Sequence, residues 1–351
     1  MLVDNLEALT EQVAATSKGG RSLTIVGGGT KTFLGNPPVE SAMEISVRSH
    51  CGIVDYHPEE LVIRARAGTP IAELKQVLDK EGQILAFDPP DHSGSATLGG
   101  VVATGLSGSR RPYSGAVKDF VLGVGMILHD GAYCEFGGQV MKNVAGYDVS
   151  RLVCGSFGTL GILADVSLKV LPKPETEITL VFEVSLTQAK QQLEALTRQV
   201  SPLSASCFVD GSLRIRLSGG QASVLSSRSA LGGEETSSDY WNLLDTHRIE
   251  PFLGSDEVWR LSTFSEEPFD DDEFALCDWA FAQRWLINPA SNPRVGYQGA
   301  GHWTRFKSGN QNIDGEVFEP LSSVELALHK RIKKVFDPNG LFNPQRLYRD
   351  L

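Results

Sequence analysis

The sequence has no long apolar run and no block of basic residues. Its longest apolar stretch, residues 120–128, contains two glycines and is far shorter than the roughly 20 residues that a membrane-spanning helix needs. The formal net charge of −11 is spread along 351 residues, so no basic stripe is available for phosphates. The N-terminus includes Asp4 and Glu7 and does not resemble an export signal. We therefore expect a cytoplasmic protein with no transmembrane segment and no nucleic-acid partner.

Several local motifs are also absent. The five cysteines are far apart, without a Cys-x-x-Cys pair, and no His-x-x-x-His pair occurs among the seven histidines. The sequence therefore offers no ligand set for zinc or for an iron–sulfur cluster, and we expect no metal site. A Gly-Lys dipeptide and a Gly-x-Ser-x-Gly elbow are missing too, which excludes the P-loop and the usual serine hydrolase turn.

The clearest boundary in the chain is the proline pair at residues 171–174, because prolines interrupt both helices and strands. Before it, apolar strands alternate with glycine-rich loops. After it, the pattern reads β-α-β-β and predicts a small antiparallel sheet with helices on one face. A capping box at residues 322–325 predicts a late helix, on which Leu321, Val324, Leu328, Ile332 and Val335 would face inward.

Glycine is the abundant residue, with 36 copies concentrated in the first half of the chain. An apolar strand at 22–26 leads into residues 27–31, which read Gly-Gly-Gly-Thr-Lys. Consecutive glycines let backbone N–H groups converge on one anion, although a flexible strand-end turn is the alternative for this motif alone. Three further loops, at 97–100, 113–115 and 158–161, pair glycine with a hydroxyl residue. Together they predict a site for one elongated dinucleotide.

Longer segments resemble a known family, the FAD-binding proteins of the vanillyl-alcohol oxidase and p-cresol methylhydroxylase type. The similar segments are the small-residue loop at 89–115, Lys-Asn-Val-Ala-Gly-Tyr-Asp at 142–148, Gly-Ser-Phe-Gly-Thr-Leu-Gly-Ile at 155–162 and the closing run at 336–344. They match the 2-hydroxyacid dehydrogenase branch in order and spacing. Within it, the chain is most similar to the smaller flavin subunits of bacterial glycolate oxidases.

The resemblance implies an α+β fold in which two subdomains bind FAD and a small antiparallel α+β cap covers them. The FAD-binding domain would comprise residues 1–173, the reduced cap 174–300, and residues 301–351 would return to the FAD domain. The residues implied to bind FAD are Gly27, Gly28, Gly29, Thr30, Lys31, Pro89, Thr97, Gly99, Gly100, Thr104, Gly105, Tyr113, Ser114, Gly115, Gly158, Thr159, Leu160, Gly161, Ile162 and Asn343.

The chain also departs from the family pattern. The first glycine loop has no histidine that could link the flavin covalently, so we expect non-covalent FAD. Phe157 replaces a common glutamate, and the metal-binding His-x-Gly-Asp-Gly-Asn run of catalytic relatives is missing. Oxidation of a 2-hydroxyacid needs a base for the hydroxyl proton and a cation for the carboxylate. His302 and Arg305 are the candidate catalytic residues for these roles.

The function implied by the resemblance is that of an FAD-binding subunit in a complex that oxidises glycolate to glyoxylate. Its partners would be a larger FAD-binding subunit and an iron–sulfur subunit, which would bring it to the inner face of the cytoplasmic membrane. Its own flavin would relay electrons or stabilise the complex. One alternative is a self-sufficient FAD-dependent dehydrogenase of another small 2-hydroxyacid, and a second is a flavin-free assembly protein that kept the fold.

Overall fold

The computed structural model describes residues 3–138, 148–270, 273–309 and 315–351. Most of the family-like motif at 142–148 lies outside these ranges. The helices are α1 (Leu6–Lys18), α2 (Ile71–Lys80), α3 (Leu98–Thr104), α4 (Arg111–Ser114), α5 (Val117–Phe120), α6 (Val149–Leu152), α7 (Leu186–Thr197), α8 (Gln221–Leu231), α9 (Asp239–Asp245) and α10 (Ser323–Phe336). The strands are β1 (Leu23–Val26), β2 (Met43–Ser46), β3 (Ile53–His57), β4 (Val62–Arg66), β5 (Gln83–Ile84), β6 (Val121–Ile127), β7 (Tyr133–Gly137), β8 (Ile162–Lys169), β9 (Leu171–Pro172), β10 (Thr176–Glu183), β11 (Leu203–Val209), β12 (Ser212–Gly219), β13 (Glu234–Thr236), β14 (Val258–Ser262), β15 (Leu276–Asp278), β16 (Gln283–Ile287) and β17 (His302–Lys307).

The first half of the chain is organised around a five-stranded antiparallel sheet in the order β3-β4-β8-β6-β7. Helix α2 packs on this sheet through Ile71, Leu74 and Leu78, whose i, i+3, i+7 spacing forms one apolar face, and all three are fully buried. Strands β1 and β2 form a separate parallel pair. The glycine loop at 27–31 begins directly where β1 ends.

The second half builds an eight-stranded antiparallel sheet in the order β13-β10-β12-β11-β15-β16-β14-β17. Helix α7 covers it through Ala189, Leu193 and Leu196, which share a core with Leu213 and Ile215 of β12. Its last strand, β17, falls after residue 300 and pairs with β14. The sheet therefore includes residues as far along the chain as Lys307.

The C-terminal segment then returns to the first half. Leu23 of β1 forms a parallel bridge with Phe342, and both side chains are fully buried. A buried lysine fixes this segment, because Lys333 Nζ donates to Asp337 Oδ2 at 2.7 Å, to the Thr159 carbonyl at 2.7 Å and to the Phe342 carbonyl at 3.0 Å. The end of the chain is thereby held against the loop that precedes β8.

Helix α10 begins at the predicted capping box, since Ser322 Oγ accepts from the Glu325 N–H and the Glu325 side chain accepts from the Ser322 N–H. The predicted inward face is right at Ile332, which packs against the core of the first half, and wrong at Val324, Leu328 and Val335. Val324 is 69% exposed and Val335 is 74% exposed, whereas Lys333 is buried. The hydrogen-bond acceptors around Lys333 hold this charged side chain inside. In the described ranges, no helix is long and apolar enough to cross a membrane.

Candidate functional site

One cavity of the first half lies where β1, α3, the loop before β8 and the C-terminal segment meet. It encloses about 150 Å³. Backbone and small side chains make up most of its wall. The lining residues are Thr24, Ile25, Val26, Gly27, Gly28, Gly29, Thr30, Lys31, Thr32, Pro38, Val47, Thr97, Gly99, Gly100, Ala103, Thr104, Phe157, Gly158, Gly161, Leu163, Asn343 and Arg346. We call this cavity the glycine groove.

Three glycines from distant parts of the chain, Gly28, Gly100 and Gly161, line this one groove. Glycine is required at position 28 because a Cβ there would lie 1.8 Å from the Ser95 carbonyl oxygen. The first glycine loop can therefore pack directly against the backbone that leads into α3. Three of the four small-residue loops that the sequence predicts to meet, 27–31, 97–100 and 158–161, converge here.

The groove presents hydrogen-bond donors that the protein does not use. The N–H groups of residues 27–31 donate to no acceptor within the part of the chain that the structure describes. Lys31 is only 7% exposed, and its Nζ donates to Thr30 Oγ1 at 3.3 Å. Burial lowers the pKa of Lys31 to about 8, and Asp91 opposes that shift. Unpaired amides beside a buried ammonium are suited to a diphosphate.

Asn343 closes the opposite wall. Its Oδ1 accepts from the Ile25 N–H at 2.8 Å, and its Nδ2 donates to the Phe157 carbonyl at 2.6 Å. The side chain thus joins β1 to the loop before β8. Sequence reasoning missed Arg346, which also lines the groove and donates to the carbonyls of Leu34 and Asn36. Arg346 is a single arginine near the end of the chain and belongs to no recognisable motif, so the sequence alone does not indicate that it lines the groove.

Of the predicted cofactor residues, Gly27, Gly28, Gly29, Thr30, Lys31, Thr97, Gly99, Gly100, Thr104, Gly158, Gly161 and Asn343 line the groove. The others do not: Pro89, Gly105, Tyr113, Ser114, Gly115, Thr159, Leu160 and Ile162. Tyr113 and Ser114 line a separate cleft, where the Ser114 hydroxyl donates to the Ala86 carbonyl at 2.6 Å. Ile162 is fully buried in β8, so its side chain belongs to the core.

The structure does not bring His302 and Arg305 to the groove. His302 is exposed at the start of β17. Arg305 forms two hydrogen bonds with Glu257, from Nε at 2.5 Å and from an Nη at 2.9 Å, and its guanidinium lies 5.9 Å from the centre of the Trp259 ring. The cation that the sequence offered for a substrate carboxylate is therefore already paired.

Comparison with known proteins gives matches along the whole chain. Residues 1–137 match the FAD binding domain family, and residues 315–347 match the C-terminal domain of FAD linked oxidases. The glycolate oxidase subunit GlcE of Escherichia coli (strain K12) is 43% identical over 99% of both chains. The glycolate oxidase subunit GlcD of Bacillus subtilis (strain 168) is 30% identical over 53% of this chain and 38% of its own length.

A solved structure supports the fold independently. Alkyldihydroxyacetonephosphate synthase superposes on 98% of this chain and 75% of its own, with a TM-score of 0.67 and 17% sequence identity. At that identity the likeness concerns the fold alone. The predicted α+β FAD-binding fold is confirmed, and so are FAD as the cofactor and the resemblance to FAD-dependent oxidoreductases.

Proposed function

Because the chain belongs to the family of the glycolate oxidase subunit GlcE, we propose that it is the FAD-binding subunit of a complex that oxidises glycolate to glyoxylate. The observation that carries this proposal is the glycine groove. Its unpaired N–H groups and the buried Lys31 ammonium fit the diphosphate of FAD. The bound flavin would supply the hydride-accepting chemistry.

In this proposal residues 27–31 hold the diphosphate, and the walls formed by Thr97, Thr104 and Asn343 enclose the rest of the cofactor. No histidine lies in the first glycine loop, so FAD is held without a covalent link there. We assign residues 1–173 to the FAD-binding domain and 174–300 to the cap. The cap sheet also includes β17 (His302–Lys307), so the segment that returns to the FAD-binding domain begins after Lys307 and not at residue 301. The Leu23–Phe342 bridge and the Asn343 contacts support the return of the C-terminal segment.

The partners in this proposal are a larger FAD-binding subunit and an iron–sulfur subunit. The relative from Bacillus subtilis is itself named a glycolate oxidase subunit, which supports a complex of more than one kind of subunit. Association with the inner face of the cytoplasmic membrane would then come through the partners. Electrons taken from the small 2-hydroxyacid leave this chain through them.

The test is the cofactor content and the assembly state of the purified full chain. We expect a yellow protein with one FAD per chain, which dissociates on denaturation because no covalent link holds it. Co-expression with the two partner subunits should yield a stable complex. A colourless chain that still assembles would instead support the flavin-free assembly protein, and a yellow chain that never assembles would support the self-sufficient dehydrogenase.

A further inference from the structure

Arg346 is the residue of the C-terminal segment that brings a second positive charge to the wall of the glycine groove. Its guanidinium donates to the Leu34 carbonyl at 2.8 Å and to the Asn36 carbonyl. These two hydrogen bonds use two of the five N–H donors of a guanidinium. Within the part of the chain that the structure describes, the other three donate to no protein acceptor. The side chain therefore keeps unused hydrogen-bonding capacity at the groove.

Arg346 also differs from other partly buried arginines in its electrostatic surroundings. Burial lowers the pKa of Arg346 to about 10, and no neighbouring acid opposes that shift. A cation taken out of water without a counter-ion loses solvation free energy that nothing restores. Other arginines of the chain avoid this loss through ion pairs: Arg64 with Asp165 at 2.6 Å, Arg110 with Glu177 at 2.7 Å, Arg216 with Asp88 at 2.7 Å and Arg305 with Glu257 at 2.5 Å.

The contact between the C-terminal segment and residues 34–36 does not depend on the charge of Arg346. The Asn36 N–H donates to the Arg346 carbonyl at 3.0 Å, and Asn36 Nδ2 donates to the Gln345 carbonyl at 2.9 Å. Gly35 allows this close approach, because a Cβ there would lie 3.0 Å from the Arg346 carbonyl oxygen. Neutral groups are therefore sufficient to hold the two segments together, and the guanidinium charge needs another explanation.

The guanidinium is fixed to the turn that follows the first glycine loop. The Leu34 N–H donates to the Lys31 carbonyl at 3.2 Å, which closes a turn over residues 31–34. The Leu34 carbonyl at the end of this turn is the one that accepts from Arg346 at 2.8 Å. Arg346 is thus tied to the same loop whose N–H groups, at residues 27–31, are unpaired in the described structure.

Lys31 and Arg346 are the cationic side chains among the lining residues of the groove. Burial and Asp91 account for the position of the Lys31 pKa, and burial alone accounts for that of Arg346, so neither cation perturbs the other. The two charges therefore stand apart along one groove. Two separated cations suit a ligand with two adjacent anionic groups, and a diphosphate is such a ligand.

We propose that Arg346 is the second cation of the cofactor site and that its guanidinium binds one phosphate of the FAD diphosphate. The Lys31 ammonium and the first glycine loop bind the other phosphate. The proposal deepens the proposed function and rests on it, because it takes the groove to hold the diphosphate. A planar guanidinium can bind a phosphate through two parallel N–H donors, which a lysine cannot do. The C-terminal segment then supplies a charged contact in addition to the Asn343 wall.

The first experiment is a fluorescence titration with FAD, at pH 7, of the full chain from which FAD has been removed. Arg346→Gln removes the charge but keeps a side-chain donor for the carbonyls of residues 34–36, and it should raise the Kd for FAD at least tenfold. Arg346→Lys keeps the charge and should raise the Kd by about fivefold or less. Arg349→Gln is the matched control and should leave the Kd unchanged, because Arg349 is exposed and does not line the groove.

A second measurement separates a phosphate contact from a purely structural role. ADP carries the diphosphate and adenosine lacks it, and both are tested as competitors of FAD. In the unmodified chain ADP should compete at least tenfold more strongly than adenosine. Arg346→Gln should weaken competition by ADP at least tenfold and leave that by adenosine within about twofold. A distorted groove would weaken both competitors alike.

The outcomes distinguish failure of the two proposals. A full chain that binds no FAD refutes the proposed function, whereas unchanged FAD affinity in Arg346→Gln refutes this proposal alone. Equal weakening of ADP and adenosine would also overturn it, and so would a tenfold loss of FAD affinity in Arg346→Lys. Lys31→Met provides the test that needs no change at Arg346: ADP should still compete more strongly than adenosine, and equal competition there would contradict a phosphate contact by Arg346.

Discussion

The glycine groove and a smaller cavity between the two halves of the molecule adjoin but are built from different materials. We call the smaller one, which is lined by His92, Arg260, Gln283 and their neighbours, the interlobe cavity; it encloses about 30 Å³. The groove is lined mainly by backbone and small residues, and its unpaired atoms are N–H donors together with one ammonium. The interlobe cavity is lined by large side chains, and its unpaired atoms include both a donor and acceptors. A surface of donors suits a polyanion, whereas a mixed surface around about 30 Å³ suits two or three water molecules. The difference separates the groove, on which the cofactor proposal rests, from a cavity that water can fill.

The largest expected effect comes from closing the groove while leaving the interlobe cavity intact. Gly28→Val should abolish FAD binding, because its Cβ would lie 1.8 Å from the Ser95 carbonyl oxygen and the main chain has to move. We expect at least a hundredfold drop in FAD per chain after purification. Circular dichroism should show the fold retained. Gly219→Ala is the control, since its Cβ would be no closer than 3.7 Å to Pro202 Cβ. Full FAD content in Gly28→Val would contradict the assignment of the groove.

The difference between the groove and the interlobe cavity also explains which residues could be assigned to a site from the sequence. Gly28, Gly100 and Gly161 belong to short contiguous motifs in which glycine allows the backbone an unusual conformation or a close contact. Such motifs can be recognised in a sequence, and their convergence could therefore be predicted. Arg260 and His92 are single residues in unrelated segments. Arg260 lies within the short apolar strand β14, where a charged residue is ordinarily assigned to the solvent side. Only the tertiary structure brings it to His92.

A second prediction concerns the far wall of the groove. Lys333→Met leaves the buried carboxylate of Asp337 without its cation, which costs about 3–5 kcal/mol of folding free energy in comparable buried pairs. Thermal unfolding should show a lower Tm, and FAD should bind more weakly because Asn343 is held by the same segment. Lys330→Met, on the same helix, is the control: its contact with Asp350 is exposed and worth about 0–1 kcal/mol. Equal decreases in Tm and in FAD affinity in the two variants would contradict a special role for Lys333.

The same lysine shows why the orientation of α10 could not be predicted. Periodicity placed Leu321, Val324, Leu328, Ile332 and Val335 inward because apolar side chains usually cover a core. The observed orientation keeps Ile332 against the core but also buries a charged side chain, since the carbonyls of Thr159 and Phe342 and the Asp337 carboxylate all accept from it. Those acceptors lie in segments far away in the sequence or beyond the helix. A hydropathy pattern contains no information about them.

A third prediction tests the junction between the two sites. Lys31→Met should weaken FAD binding by about 10–100-fold at pH 7, because the ammonium makes a charge-assisted contact with the diphosphate. In the unmodified chain the Lys31 pKa is lowered to about 8, so the ammonium is lost above that pH before FAD binds. The Kd for FAD should then rise by up to about tenfold per pH unit above pH 8. Fluorescence titration from pH 6.5 to 9.5 should show this slope, and Lys31→Met should remove it.

The smallest effect is expected at His302, which the sequence suggested as the catalytic base. His302 is exposed at the edge of the second sheet, outside both cavities, and surface substitutions of this kind change stability by about 0.5 kcal/mol or less. His302→Ala should therefore keep FAD content, Tm and glycolate-dependent reduction of the assembled complex within error of the unmodified protein. Loss of glycolate-dependent reduction in His302→Ala, with FAD content unchanged, would instead show that the exposed start of β17 takes part in the reaction.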